Sequence, residues 1–461
     1  MTRTPVDPVV ESGAVRLPRG GLLAFSSGTL GMGVWITVPG LLLLYFLTDV
    51  LAVAPLVAGF ALLIPKVADI LLHPFVGHVS DAQRARHGHR LALMVFACLL
   101  PLSFAAMFAV PGSLRGNGAA IWVAVFYALG NLLYAAYQVP NLSTPADLAI
   151  GYHERTRLMS FRMVVLTVGI LASGVLAPAL TGGDDPTRRA YLVMGCALAV
   201  GMLAAMLVGI TGVRRLGAVA GTPANPAPPH LRDLRVLLNS LRDPHFRPLV
   251  GAFLLTSTAT HLVLAAVPYF AAYELGRSGL TTVLVAAFLA PALLATPVWL
   301  AVARRIGKQR GLLLAQSTFA AGCLVVALGH HAPLPLLIGV VAVLGIAFAA
   351  LQLLAFSMLP DVVAAGAGRK IADAGSYTGV WTAADSAGGA IGPYLYAACL
   401  AIGGFVGSSG DDVQQSAAAL DAVRYGFALV PAVLLGAAVI VQRRYSLDRD
   451  ASTVEQVVRP G

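Results

Sequence analysis

The stretch Pro55-Leu-Val-Ala-Gly-Phe-Ala-Leu-Leu-Ile-Pro65-Lys66-Val-Ala-Asp69-Ile-Leu-Leu-His73-Pro74-Phe-Val-Gly-His-Val79 decides the architecture. Its side chains are mostly aliphatic, and as a helix it would be about 37 Å long, enough to cross a hydrocarbon core of about 30 Å. Lys66, Asp69 and His73 interrupt it at spacings of three and four, which puts all three on one helix face. An ionisable group in the middle of a membrane helix costs at least about 2.5–3.5 kcal/mol on insertion scales. Two readings account for keeping three of them: a self-neutralising Lys66–Asp69 pair that packs helices together, or a site that binds or moves a charged species.

The remainder of the 461-residue chain has the same character. It is 58% hydrophobic and 11% charged, against about 25% charged in a soluble domain, and its mean hydropathy is +0.80. Apolar segments of about 20 residues recur throughout, as membrane-spanning helices require. The net charge of +10 does not point to nucleic acid, because the basic residues sit in short loops between apolar spans. Cys98, Cys196, Cys323 and Cys399 all fall inside spans without metal-ligand spacing and read as small core residues. The first 20 residues are polar and the first span is too long for the apolar region of a cleavable signal, so none is expected.

Twelve spans are expected, near 21–48, 56–79, 91–111, 119–142, 160–180, 189–213, 248–272, 280–303, 311–329, 334–358, 375–402 and 418–442. The longest connection, 214–247, is Pro-rich from Pro223 to Pro229 and reads as a short amphipathic helix from Leu231 to Leu241. It divides the chain into a six-helix bundle over 1–213 and a second over 248–461, the latter with a short tail. With the N-terminus in the cytosol, 24 of the 31 lysines and arginines are cytosolic, five lie outside, and Lys66 and Arg162 lie within spans. The positive-inside rule therefore puts both termini in the cytosol of a cell (inner) membrane protein. Basic, glycine-containing turns recur between the second and third spans of each half, at Gly77–Arg90 and at Arg304–Gly311. Twelve spans, a six-plus-six division and paired basic turns indicate an all-α membrane protein of the major facilitator fold, with substrate near the midplane between halves that rock.

Four groups of residues resemble the glycoside–pentoside–hexuronide:cation symporters, the branch that includes the melibiose carrier. They are Tyr45 to Val50; Asp69 to Gly77 with Ser80-Asp81 and Arg84 to Arg90; Gln138-Val-Pro140-Asn141 with Tyr152 to Leu158 and Arg162; and Met358 to Val363 with Gly375 to Thr382 and Gly392-Pro393. The resemblance implies a cation-coupled importer of sugars or sugar-like solutes, with acidic residues on the second helix holding the coupling cation. Asp69 matches one of those acids; His73 stands where the other would be. A histidine takes up a proton near neutral pH, whereas sodium, like the hard divalent cations, prefers oxygen. The proton is therefore the expected coupling ion, with sodium as the alternative. The sugar-contacting aspartates of the melibiose carrier fall at Gly33 and Gln138, so galactoside recognition is not expected. Where the family often has a lysine after Trp381-Thr382, this chain reads Ala-Ala-Asp385-Ser386, and Lys66 could supply the missing positive charge.

Each candidate residue has a structural alternative. Asp69 is either a coupling acid or half of a static ion pair, and His73 either shares a proton or bonds a backbone carbonyl beside Pro74. Asp385 either faces the cavity or packs helices through Ser386 and Ser376. Arg162 either pairs with an acid, binds an anionic substrate group, or snorkels to the cytosolic surface. Tyr134, Tyr137, Gln138 and Asn141 form a polar–aromatic stripe suited to a sugar or heterocycle, or to bonding between helices. Trp35 and Trp381 either stack on ligand or pack, and His261 reads as a core histidine. Asp81, Arg84, Arg86 and Arg90 can form charge pairs that hold the cytosolic side closed, or simply satisfy the positive-inside rule. In-span breakers such as Pro39, Pro65, Pro291 and Gly388-Gly389 suit moving helices.

No phosphate loop, HExxH, CxxC or nucleophile elbow occurs, so an enzyme is not expected, and discontinuous helices favour alternating access over a pore. The expected partners are a small-molecule substrate and the lipid bilayer, with no cofactor, and the chain is expected to act as a monomer. The rival readings are an exporter of a drug-like or natural-product solute, which would suit a cavity without the sugar carboxylates, and a lysolipid-type transporter.

Overall fold

Twelve long helices make up the computed structural model, which describes residues 16–181, 187–220, 239–328, 332–368, 374–407 and 414–447. In the first half they are α1 (Arg19–Tyr45), α2 (Pro55–His87), α3 (Leu91–Phe108), α4 (Asn117–Asp147), α5 (Tyr152–Leu180) and α6 (Arg188–Ala220). The second half holds α7 (Phe246–Tyr269), α8 (Leu280–Ile306), α9 (Lys308–Leu328), α10 (Leu334–Gly368), α11 (Ala374–Ile402) and α12 (Ala417–Gln442). Among the described residues, eleven of these are long and apolar enough to cross a membrane. The exception is α11, whose serines, threonines, glycines and Asp385 lower its hydropathy. Packing against α2, α7 and α12 supplies its surroundings instead.

Helix is the form in which an isolated span satisfies all its backbone polar groups internally, so the apolar segments dictate it directly. The ends are less predictable. The stretch Gly77–Arg90, read from sequence as a loop, is helical as far as His87. Arg84, Arg86 and His87 occupy the last turn, where cations complement the helix dipole. Gly88 then closes the helix at φ 73°, a left-handed cap that other residues adopt only with strain. The sixth span likewise continues past 213 to Ala220. Most of the amphipathic segment expected at Leu231–Leu241 lies outside the described residues, which resume with a 3-10 turn at Asn239–Arg242.

The second six helices repeat the packing order of the first. α1 packs on α5 and α6 as α7 packs on α11 and α12, α2 on α4 as α8 on α10, and α3 on α4 and α6 as α9 on α10 and α12. Both α1 and α7 end in a five-residue π-helical turn, Phe46–Val50 and Phe270–Glu274. The halves meet through α2 with α11, α1 with α7, and α5 with α8.

The alternating direction of the helices puts both ends of the chain at one end of the bundle, the terminal end; the π turns mark the far end. Contacts between halves concentrate at the far end. Thr48 and Tyr269 are hydrogen-bonded at 2.7 Å, Tyr273 donates a short hydrogen bond to Asp49, and Phe60 packs on Tyr394 with ring centroids 5.1 Å apart. Both hydrogen bonds join side chains of one half to side chains of the other. The bundle is therefore closed at its far end.

Candidate functional site

The charged face of α2 lies at mid-depth, where α2 packs on α4 of its own half and on α11 of the other. Asp69 is 3% exposed, with Lys66 Nζ 3.7 Å from its Oδ2 and His73 Nδ1 3.2 Å from its Oδ1. The histidine's hydrogen bond goes elsewhere, from Nδ1–H to the Asp69 backbone carbonyl at 2.9 Å. Asp69 Oδ1 is consequently buried with no hydrogen-bond partner among the described residues. Lys66 also lies 6.0 Å from the centroid of the Tyr127 ring. Its ammonium also lies within electrostatic reach of Asp385, a carboxylate of the opposite half.

Asp385 is held from behind. Ser257 donates to its Oδ1 at 2.9 Å, and His261 Nδ1–H bonds the Ser257 carbonyl at 2.9 Å. His261 is therefore satisfied by backbone one turn away. Tyr134, on α4, lies within electrostatic reach of Arg162, Asp69 and Asp385.

Arg162 does not pair with an acid. It is 4% exposed, its Nε donates to Asn141 Oδ1 at 2.8 Å, and among the described residues it has no carboxylate within ion-pair distance. A desolvated guanidinium held only by an amide is short of a counter-charge.

The polar stripe of α4 divides between two environments. Asn141 holds Arg162, Gln138 is half-buried, and Tyr134 lies within electrostatic reach of the buried charges. Tyr137 points away, fully buried against Gly28 and Gly209, with its hydroxyl donating to the Met206 carbonyl at 3.2 Å. Trp35 and Trp381 are each 2% exposed. Trp35 packs on Tyr127 and Phe104, and Trp381 stacks on Phe253 at 3.9 Å between centroids. In this closed-far-end form both indoles are packing residues. At Gly33 an added Cβ would lie 2.7 Å from the Ile170 nitrogen and 2.8 Å from the Gly169 carbonyl carbon. The first sugar aspartate is thus absent, and its position is filled by the crossing of α1 and α5.

At the terminal end, Arg84 pairs with Asp147 at 2.8 Å, and Arg90 bonds Asp147 at 2.7 Å, Asp81 at 2.6 Å and Ser80 at 2.8 Å. Burial works against the Arg90 charge, but its hydrogen bonds to Asp147 and Asp81 hold the guanidinium pKa above its usual value. Arg86 is exposed and forms no ion pair among the described residues. All these pairs lie within one half, so in this form they tie α2 to α4 and do not bridge the two bundles. The second half repeats the device: Lys308, opening α9, bonds Asp361 on α10 at 2.5 Å. Sequence reading missed Asp147, the acid on which the first network converges. It also missed Asp49 and Tyr273. Asp49 is an acid beside a span end, a visible signal; Tyr273 carried none.

A family described as MFS/sugar transport protein matches residues 24–449. The chain is 29% identical over 192 residues to an uncharacterized symporter, sll1374, of Synechocystis, covering 40% of this chain and 35% of that one. To the sodium-dependent lysophosphatidylcholine symporter 1 of Mus musculus it is 25% identical over 358 residues, covering 70% and 66%. To the isoprimeverose transporter of Lactiplantibacillus pentosus it is 25% identical over 425 residues, covering 88% and 84%. The match thus spans about a third of the first relative's length and about two thirds of the second's. The fold is similar to a bacterial homologue of the lysosomal transporter Spinster in its inward-facing, unoccupied form (TM-score 0.64, 12% identity, 93% and 95% covered). It is also similar to a D-xylose–proton symporter (TM-score 0.60, 13% identity, 92% and 94% covered). Twelve helices in two repeated halves, charged residues buried where they meet, and a family match over nearly the whole length agree: the chain is a multi-pass membrane protein and belongs to the MFS/sugar transport protein family.

Proposed function

We propose that this protein moves a sugar-like organic solute across the cell membrane by alternating access, in symport with a monovalent cation that binds at Asp69. The observation that carries this reading is the Lys66 ammonium 3.7 Å from Asp69 of its own half and within electrostatic reach of Asp385 of the other. A cation arriving at Asp69 competes with Lys66 for the carboxylate and frees the lysine toward Asp385. Occupancy is thereby linked to the relative position of the halves, as coupling requires. Arg162, Asn141, Gln138 and Tyr134 supply donors and acceptors for the solute. With both termini in the cytosol, the closed far end is the outer one.

A second reading concerns the solute alone. Neither sugar carboxylate is present, and Arg162 is buried without an acid, a combination that also suits a phosphate-bearing lysolipid headgroup.

The test is uptake into proteoliposomes under imposed sodium or proton gradients, across a panel of glycosides and lysolipids. Asp69→Asn is expected to abolish gradient-driven accumulation while leaving solute exchange at equal concentrations. Accumulation undiminished in Asp69→Asn would end the coupling proposal.

A further inference from the structure

The residues that follow α11 have no role in the transport cycle so far. Gly403-Gly404-Phe405 end the helix in a Schellman motif. Gly404 stands at φ 72°, its N–H bonds the Ala401 carbonyl at 3.1 Å, and the Phe405 N–H bonds the Leu400 carbonyl at 2.9 Å. The motif turns Phe405 inward, where it is 4% exposed and packs on Tyr269 and Tyr273 with ring centroids 5.8 and 5.1 Å away.

Two residues on, the backbone of the second half rests on the backbone of the first. At Gly407 an added Cβ would lie 2.9 Å from the carbonyl oxygens of both Thr48 and Val53, and 3.2 Å from the Ala52 carbonyl carbon. Those three residues belong to the π turn of α1 and the tight turn after it. Only a residue without a side chain comes this close to backbone. Gln415, just before α12, pins the segment from the other side. Its Oε1 accepts from the Val406 N–H at 3.0 Å and its Nε2 donates to the Val406 carbonyl at 2.7 Å. The same amide hydrogen-bonds the Tyr273 side chain, and Tyr273 in turn donates to Asp49 of the first half.

We propose that Phe405–Gly407, pinned by Gln415, is a strap that closes the outer end of the transporter by seating on the turn after α1, and that it lifts when the outer end opens. The inference rests on the alternating-access reading above. Gly407 makes the seat possible, because its backbone occupies space that any side chain would need. Gln415 is a positioning residue: it holds the strap through Val406 and holds Tyr273 toward Asp49, so the strap and the Asp49–Tyr273 bond release together.

The test requires no knowledge of the solute. Full-length protein with its four native cysteines replaced carries spin labels at Ser113→Cys and Gly279→Cys, exposed far-end positions of the first and second halves. Distances between the labels are measured in proteoliposomes by electron–electron double resonance. Wild type is expected to show a short, closed population and a longer, open one. Gly407→Ala is expected to lower the closed-to-open ratio at least about fivefold, since its Cβ overpacks backbone that no rotamer change relieves. Gln415→Leu, at a half-buried position where folding is not at stake, is expected to lower it about threefold or more through lost hydrogen bonds. Gly339→Ala, in the same half and with nothing within 4 Å of the added Cβ, is expected to keep the wild-type ratio. A ratio unchanged in both Gly407→Ala and Gln415→Leu, or lowered equally in Gly339→Ala, overturns the strap and leaves alternating access standing. A single distance in wild type and in every variant, under every imposed gradient, would count against alternating access itself.

Discussion

Gly33 offers a quantitative test of the claim that the first sugar-aspartate position is closed by packing. An ideal Cβ there lies 2.7 Å from the Ile170 nitrogen and 2.8 Å from the Gly169 carbonyl carbon. Both are backbone atoms, so no rotamer change relieves the contact. Ordinary contact at about 3.5 Å requires α1 and α5 to separate locally by about 0.8 Å. Overpacking of this kind costs about 1–3 kcal/mol, the figure expected for Gly33→Ala. Gly33→Asp adds the insertion cost of a mid-membrane carboxylate, about 2.5–3.5 kcal/mol, for a total of about 3.5–6.5 kcal/mol. Gly77 provides the control: a Cβ there meets nothing within 4 Å, so Gly77→Ala in α2 is expected to stabilise by about 0.5–1 kcal/mol. Thermal unfolding in detergent, with galactoside binding measured by calorimetry on the same samples, reads out both effects. The reasoning is refuted if Gly33→Asp unfolds like wild type, and more directly if it also gains galactoside binding.

Two further outcomes follow from the ion pairs and the far-end contacts. Asp147→Asn leaves the largely buried Arg90 only Asp81 and Ser80 as partners and also loosens Arg84; it is expected to cost about 2–3 kcal/mol. The equivalent Asp361→Asn breaks a pair whose side chains are 38% and 41% exposed and should cost no more than about 1 kcal/mol. Equal losses in denaturation would contradict the assignment of the first network as the buried one. Tyr273→Phe removes a hydrogen bond that joins α1 and α7 through Asp49. Spin-label distances across the far end should then show a larger outward-open population, and an unchanged distribution would mean that Asp49 and Tyr273 do not hold that end.

The helical fold and the number of spans were legible in sequence because they depend on hydropathy along single helices. In a membrane, that quantity dictates helix without reference to tertiary partners. Helix ends were less so: α2 and α6 run on past their apolar segments, because a capping glycine and basic last turns can extend a helix into water. The face a residue presents was legible; what lies opposite was not. Tyr134 and Tyr137 belong to one stripe by spacing, yet one lies within electrostatic reach of the buried charges and the other fills a gap left by Gly28 and Gly209.

Sequence by itself determined that Lys66, Asp69 and His73 share one face of a membrane helix, since that follows from 3.6 residues per turn. Tertiary structure decided what the face does. It brought Asp385 of the other half within electrostatic reach of Lys66 and set Asn141 against the buried Arg162. Those relations join residues tens to hundreds of positions apart, and the close crossing of helices creates them. Local pattern carries no information about them, because a helix presents the same face whether a partner stands opposite it or lipid does.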